Sequence, residues 1–134
     1  MQVSSFLLPK EQVAYLISSC TLLEAVHELE RHQYTAIPIL DEAGTYIGTL
    51  SEGDLLWHMK HTPGLSFDTM NGVPLAAVKK RFQLESVRID ANMEDMLSLA
   101  ADQNFIPVVD AAGLFLGIIR RKDIIAYYNS NIMD

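Results

Sequence analysis

Hydrophobic residues follow a helical spacing in two separate stretches of the chain. Each stretch has apolar residues at i, i+3, i+4 and i+7, which is typical of an amphipathic helix. The two stripes are Leu22, Ala25, Val26 and Leu29, and then Met93, Met96, Leu97 and Ala100. Thr21 and Asp90 stand near their starts, where we expect them to act as N-caps. The pattern therefore predicts one helix in each half of the chain.

Short β-rich segments surround each predicted helix. Residues 36–41 and 46–50 are apolar runs separated by a turn at 42–44, which predicts a hairpin. Gly44 is expected to supply a positive φ in that turn. In the first half we predict a strand at 13–17 before the helix and a second helix at 54–60 after the hairpin. In the second half the corresponding strand is at 84–89 and the corresponding helix at 123–128. Each half thus has the order strand, helix, strand, strand, helix.

The two halves are copies of one another. From the hairpin onward they match at a constant offset of 69 residues, as from Gly48 to Gly117. The other pairs are Ile37-Pro38-Ile39-Leu40-Asp41 with Ile106-Pro107-Val108-Val109-Asp110, Ala43-Gly44 with Ala112-Gly113, and Asp54 with Asp123. A single copy would expose an apolar sheet face. We therefore predict an α+β fold in which two β-α-β-β-α repeats pack through their sheets with pseudo-two-fold symmetry.

The predicted division of the chain follows the repeat. Residues 1–67 would hold a leading segment and the first copy, and residues 68–134 a connecting helix at 70–81 and the second copy. Together they would form one globular module, since 49% of the residues are hydrophobic and 20% are charged.

Composition narrows the function classes. The apolar runs are far shorter than the roughly 20 residues needed to span a bilayer, so we expect a cytoplasmic protein without a membrane partner. Cys20 is the only cysteine, which rules out an internal disulfide and a thiolate metal cage. The net charge of −7 opposes binding to nucleic acid. The histidines lack the spacing of a zinc motif, so no metal site is predicted.

The repeated residues resemble the CBS domain family, named for cystathionine β-synthase. Its signature of hydrophobic-Pro-hydrophobic-x-Asp, then Gly, then Gly-h-x-(Thr/Ser)-x-x-Asp occurs twice, and the first copy ends in Gly48-Thr49-Leu50-Ser51-Glu52-Gly53-Asp54. The second copy has Arg120 where Thr or Ser is expected. The resemblance covers nearly the whole chain. It implies a pair that binds AMP, ADP, ATP, cyclic di-AMP or S-adenosylmethionine in clefts between the repeats and that often forms a homodimer.

The same residues suit a nucleotide chemically. Asp54 and Asp123 would stand near helix starts, where a carboxylate can accept two hydrogen bonds from a ribose diol and the helix dipole favours phosphate. Backbone groups beside Pro38 and Pro107 would contact the adenine edge, and Tyr34 or Phe105 would shield its face. The predicted ligand-binding residues are Tyr34, Thr35, Ile37, Pro38, Ser51, Asp54, Phe105, Ile106, Pro107, Arg120, Arg121, Lys122 and Asp123.

Arg120 makes the two copies unequal. An arginine can bind a phosphate through two hydrogen bonds where a hydroxyl offers one, so we favour the second copy for a charged ligand. Arg120 is also long enough to fill the cleft or to point outward. The first hypothesis is therefore a regulatory module, without required cofactors, that reports an adenosine nucleotide to an unknown effector protein. The alternatives are a ligand-free structural dimerisation module with closed clefts and, more weakly supported, a nucleotide hydrolase.

Overall fold

Seven strands and four α-helices occupy the described part of the chain, residues 2–78 and 84–133 of a computed structural model. Side chains are described up to residue 130. The strands are β1 Leu8–Pro9, β2 Leu16–Ile17, β3 Ala36–Leu40, β4 Tyr46–Ser51, β5 Val87–Arg88, β6 Phe105–Val109 and β7 Phe115–Arg120. The helices are α1 Leu22–His32, α2 Glu52–His61, α3 Leu97–Ala100 and α4 Arg121–Met133. Short 3₁₀ segments precede the first strand and lie between later elements.

Each repeat builds its own sheet in the predicted element order. One sheet has the strand order β2-β3-β4 and the other β1-β7-β6-β5. In both, the strand that carries the repeated Pro pairs in parallel with the strand before the helix and antiparallel with the strand that follows. The α+β class and the strand-helix-strand-strand-helix order of each copy are confirmed.

The repeated Asp and Gly form the hairpin turn in both copies. The carboxylate of Asp41 accepts hydrogen bonds from the backbone of Ala43 and Thr45, both at 2.9 Å. Asp110 accepts equivalent bonds from Ala112 at 2.9 Å and Leu114 at 3.0 Å. Gly44 and Gly113 have φ values of 90° and 91°, as predicted for positions that favour glycine. This part of the signature therefore has a structural role in the turn.

The two predicted helices after the first strands differ in regularity. Thr21 caps α1 as predicted, because its side chain accepts from the backbone N–H of Glu24 at 3.2 Å. The Asp90 cap was wrong: Asp90 forms an ion pair with Arg88 at 3.6 Å, and the turn starts after Asn92. That turn, Met93–Met96, is a 3₁₀ helix that precedes the short α3.

The 3₁₀ turn changes which side chains are buried. Met93, Met96 and Ala100 of the predicted stripe are buried, but Leu97 is 55% exposed. A 3₁₀ helix has three residues per turn instead of 3.6, so Leu97, which follows this turn directly, lies off the buried face that α-helical spacing predicts for it. The first copy keeps the α-helical register, and Leu22, Ala25 and Leu29 are all buried.

The leading segment belongs with the second copy. The chain forms two compact units, a first-copy unit of Ala14–Gln83 and a second-copy unit of Met1–Val13 together with Leu84–Asp134. Strand β1 pairs antiparallel with β7, and Val3 is fully buried in the second-copy core. The predicted division at residue 67 grouped this segment with the first copy. The structure differs because β7 has an open edge on which β1 adds a strand.

The connecting segment is not a continuous helix. A helix was predicted at 70–81, but the described part of that range, residues 70–78, has two 3₁₀ turns, Met70–Gly72 and Leu75–Ala77. Pro74 lies between them, and its missing N–H and fixed φ oppose helix propagation. The segment joins the first-copy unit through the hydrogen bond from Leu75 N to Cys20 O at 3.1 Å. Residues 79–83, which include three of the basic residues, lie outside the described residues.

Candidate functional site

In the first copy the signature Ser and Asp form a capping box at the start of α2. Ser51 Oγ accepts from the backbone N–H of Asp54 at 3.1 Å, and Asp54 Oδ2 accepts from the backbone N–H of Ser51 at 3.0 Å. Asp54 is only 2% exposed. The predicted ribose acceptor therefore also stabilises its own helix, since the box satisfies backbone donors that have no partner within the helix.

In the second copy the corresponding position has an ion pair instead. Arg120 Nε lies 2.8 Å from Asp123 Oδ2, and Arg120 Nη2 lies 3.4 Å from Asp123 Oδ1. The guanidinium thus contacts both carboxylate oxygens. The side chains of Arg120 and Asp123 are 40% and 24% exposed, so this carboxylate is more accessible than that of Asp54. Arg120 was predicted to contact a phosphate, but in this structure it pairs with Asp123, the residue predicted to bind the ribose.

The next two basic residues, Arg121 and Lys122, differ in their surroundings. Arg121 Nε donates to the carbonyl of Gln103 at 3.1 Å, and its backbone N–H donates to the carbonyl of Asn104 at 2.9 Å. Lys122 is exposed. Arg120 and Arg121 therefore have different partners, and a phosphate contact from either of them or from Lys122 stays a prediction.

The backbone at the start of β3 and β6 is tied to the following helix in the same way. Glu52 N–H donates to Thr35 O at 3.0 Å, the counterpart of the bond from Arg121 to Asn104. Thr35 itself is exposed. This repeated bond brings the start of the hairpin beside the helix start that carries the signature Asp. Each copy therefore places the predicted adenine and ribose contacts next to one another.

The predicted adenine contacts are buried apolar residues. Ile37 and Ile106 are fully buried, Phe105 is 8% exposed, and both signature prolines, Pro38 and Pro107, are buried. Because these side chains are buried, a ligand contact would come from backbone groups, as expected for Ile37 and Ile106. Shielding of an adenine face by Phe105 stays a prediction.

Tyr34 lies at a cavity that the sequence did not predict. A cavity of about 360 Å³ opens between α1 and α2. Its lining includes Tyr34, Val26, Leu55 and Phe67, whereas Thr35, Ser51 and Asp54 are not part of it. The apolar residues of α2 were the available signal, because Leu55 and Met59 share one face with i, i+4 spacing.

Gln103 is a buried polar residue that was not predicted from the sequence. It is 6% exposed. Its side chain accepts from Glu85 N–H at 2.9 Å and donates to Glu85 O at 3.2 Å and Phe105 O at 3.1 Å. The segment before β5 is therefore fixed to the start of β6, beside the carbonyl that binds Arg121. A polar residue at the position equivalent to Tyr34 was the only signal in the sequence.

Side chains that could ligate a metal are dispersed over the described part of the chain. No group of three or more His, Cys, Asp or Glu side chains is arranged to hold a metal ion among residues 2–78 and 84–133. Within the same ranges, no helix is both long and apolar enough to cross a bilayer.

Comparison with known proteins gives the family and the fold. The chloroplastic CBS domain-containing protein CBSX2 of Arabidopsis thaliana is 26% identical over 92% of this chain, which spans 61% of that protein. The structure of CBSX2 in complex with AMP superposes with a TM-score of 0.75 at 24% identity, covering 96% of both chains. CbpB in complex with c-di-AMP superposes with a TM-score of 0.84 at 23% identity, covering all of this chain and 88% of CbpB.

A family model assigns the same residues. The model of the CBS domain matches twice, at residues 3–61 and 78–130, and these two matches contain both copies of the signature. The repeated Asp turns, the seven residues from Gly to Asp of each signature and the helix starts that carry Asp54 and Asp123 all lie within them. The chain is a tandem pair of CBS domains and belongs to the CBS domain family.

Proposed function

We propose that this CBS pair binds an adenosine nucleotide as a regulatory ligand and that a separate effector protein detects the bound state. The observation that carries the proposal is the likeness to CbpB with c-di-AMP and to CBSX2 with AMP. AMP, ADP or ATP and cyclic di-AMP are the ligands we favour, with S-adenosylmethionine below them. No cofactor is required for binding.

The second copy is the proposed principal site. Asp123 is partly exposed, whereas the carboxylate of Asp54 is buried within a capping box. A ribose diol would reach Asp123 by displacing one partly exposed arginine side chain, whereas at Asp54 it would have to disturb the capping box of α2. Backbone groups at Ile106 and Pro107 lie on the adjoining strand β6 and would contact the adenine edge. The first copy offers the same arrangement with Thr35, Ser51 and Asp54 and is proposed as a weaker site.

Binding by this site would not be catalysis. Both signature carboxylates have structural partners of their own, and each lies in a different compact unit. Hydrolysis would need a nucleophile with its base or carboxylates gathered around a metal. We therefore propose a binding module, and incubation with ATP and Mg²⁺ should give no ADP or AMP above the blank.

The test is a titration of AMP, ATP and cyclic di-AMP by isothermal calorimetry, with thermal unfolding in parallel. A ligand at 100 times its Kd should stabilise the fold by about 2.7 kcal/mol. Asp123→Ala should weaken binding by about tenfold or more, because charge-assisted hydrogen bonds contribute roughly 1.5–3 kcal/mol. Asp102→Ala, an exposed acidic position of the same unit, is the matched control and should bind normally.

One observation favours a second candidate, an interaction module that binds no nucleotide. The Arg120 guanidinium contacts both oxygens of Asp123 and would close the second site if it did not move. In that case no nucleotide would bind or stabilise the protein, and the first proposal would be wrong.

A homodimer is part of the proposal in either case. Leu56 on α2 and Ile125 on α4 are equivalent positions in the repeat, and they are 58% and 50% exposed. Exposed apolar residues on equivalent helices suit a self-association surface. Light scattering should give the mass of two chains, and Leu56→Glu with Ile125→Glu should give the mass of one.

A further inference from the structure

We infer that Arg120 makes the second site selective for phosphorylated ligands by competing with the ribose for Asp123. The inference rests on the proposed function and concerns how this one site chooses between nucleotide and nucleoside. Its basis is the two-pronged contact of Arg120 Nε and Nη2 with the Asp123 carboxylate. Arg120 is the residue of the second copy that departs from the signature, which has Thr or Ser at this position.

Arg120 and a ribose would compete for the same carboxylate oxygens. A ribose diol donates two hydrogen bonds and is held best by both oxygens of one carboxylate. In this protein the guanidinium fork already contacts both oxygens of Asp123, at 2.8 Å and 3.4 Å. Binding of a diol in this geometry therefore requires Arg120 to withdraw. In the first copy the equivalent position is Ser51, which carries no charge and contacts Asp54 through a backbone N–H.

Arg120 can exchange partners readily when a phosphate is present. Its side chain is 40% exposed and that of Asp123 is 24% exposed, and ion pairs at such positions contribute little because water screens them. A phosphate group offers the guanidinium a replacement that it binds with the same fork geometry. A nucleoside offers no replacement. A nucleotide therefore supplies a phosphate as the new partner of the displaced Arg120, whereas adenosine supplies none.

Arg120 differs in this respect from its basic neighbour. Arg121 has its Nε bound to the carbonyl of Gln103, beside the backbone bond that ties it to Asn104. Withdrawal of Arg121 would leave a carbonyl without that partner, and it would not affect Asp123. Of these two arginines, only Arg120 contacts Asp123, so its movement directly exposes the carboxylate proposed to bind the ribose.

The experiment measures the Kd of AMP and of adenosine by calorimetry for the wild type, Arg120→Thr and Arg120→Gln. The wild type should prefer AMP by about a hundredfold, a factor within the range of charge-assisted hydrogen bonds. Arg120→Thr introduces the residue typical of the signature. It should bind adenosine more tightly and AMP more weakly than the wild type, so that the preference falls by about tenfold or more. Arg120→Gln should change both ligands in the same directions and carries the test if the Thr variant unfolds.

A matched control is available in the same unit. Arg88 is also an exposed arginine paired with an aspartate, Asp90, at 3.6 Å, and it lies outside the proposed site. Arg88→Thr removes the same charge and should leave the preference unchanged. Loss of AMP binding in Asp123→Ala should assign the measured site to the second copy.

Each other outcome has one meaning. If Arg120→Thr strengthens both ligands equally, Arg120 only obstructs the site and the inference is wrong. If it weakens both equally, or if wild type binds adenosine as tightly as AMP, there is no competition for Asp123. If neither the wild type nor any variant binds AMP, ATP or cyclic di-AMP, the proposed function itself fails and takes the inference with it.

Discussion

Gly117 is the residue of the second sheet that should tolerate substitution least. It has a φ of 152°, in a region that side chains rarely adopt. A Cβ at this position would overlap the carbonyl oxygen of Leu8 and lie 3.0 Å from Leu7 Cδ1 and 3.1 Å from Leu8 C. Both neighbours belong to the leading segment, whose strand β1 pairs Pro9 with Gly117. Gly117→Ala must therefore strain the backbone of β7 and displace β1.

The size of the effect follows from these two terms. A residue held in a backbone region that only glycine readily occupies costs about 1–3 kcal/mol. Release of β1 would also expose Val3, which is fully buried, at about 1.5 kcal/mol for a side chain of this size. Alanine recovers about 0.4–1 kcal/mol through the unfolded state. We expect the free energy of unfolding to fall by about 3 kcal/mol, of which about 1.5 kcal/mol comes from the exposure of Val3 in the leading segment.

Urea unfolding and hydrogen exchange test this prediction together. Gly117→Ala should lower the free energy of unfolding and speed exchange across residues 2–13. Gly72→Ala is the control, because its Cβ would meet no atom within 4 Å, and it should change stability by less than about 0.5 kcal/mol. A Gly117→Ala protein with wild-type stability and wild-type exchange at residues 2–13 would refute the close approach of β1 to β7.

Three further predictions concern single side chains. Gln103→Leu should destabilise the protein by about 2 kcal/mol in urea, because it leaves the N–H and the carbonyl of Glu85 without their partner; an unchanged midpoint would contradict this role. Thr21→Ala should cost about 1 kcal/mol through loss of the α1 cap, and Thr21→Ser should restore most of it. Burial, and then the charge of Glu24, raises the pKa of Cys20 to about 11, so its reaction with a disulfide reagent at pH 8 should be about tenfold slower than that of free cysteine, because the lower thiolate fraction outweighs the higher reactivity of the more basic thiolate, and it should accelerate with pH up to about pH 11. A rate like that of free cysteine at pH 8 would show that the thiol is not buried.

The hairpins could be predicted from the sequence because their determinants are local. Residues 36–41 contain the continuous apolar run of the strand and the Asp of the turn, Gly44 follows within a few positions, and the offset of 69 repeats them. The leading strand could not be predicted in this way. It has only two residues, Leu8 and Pro9, and its partner lies at the other end of the chain. Such a strand has no periodicity from which to infer it.

The candidate site divides in the same way. The helix starts that carry Asp54 and Asp123 follow from the repeat. The capping box of Ser51 and Asp54 was also accessible, since Ser-x-x-Asp before an apolar run is a helix-start signal. The pairing of Arg120 with Asp123 depends on which way a long side chain turns, and the sequence allowed an inward, a phosphate-binding or an outward orientation. Only the three-dimensional arrangement distinguishes them.

The discontinuous second-copy unit has a consequence for synthesis on the ribosome. Residues 14–83 form a compact unit from one continuous stretch, so they can fold as soon as that stretch has emerged. Val3 and β1 are made earlier, but their partners Ala91 and β7 emerge only later. During that interval the segment must remain undocked, with its apolar side chains available to other chains or to chaperones. Docking of β1 is then a late step, which can begin only after the second copy has been made.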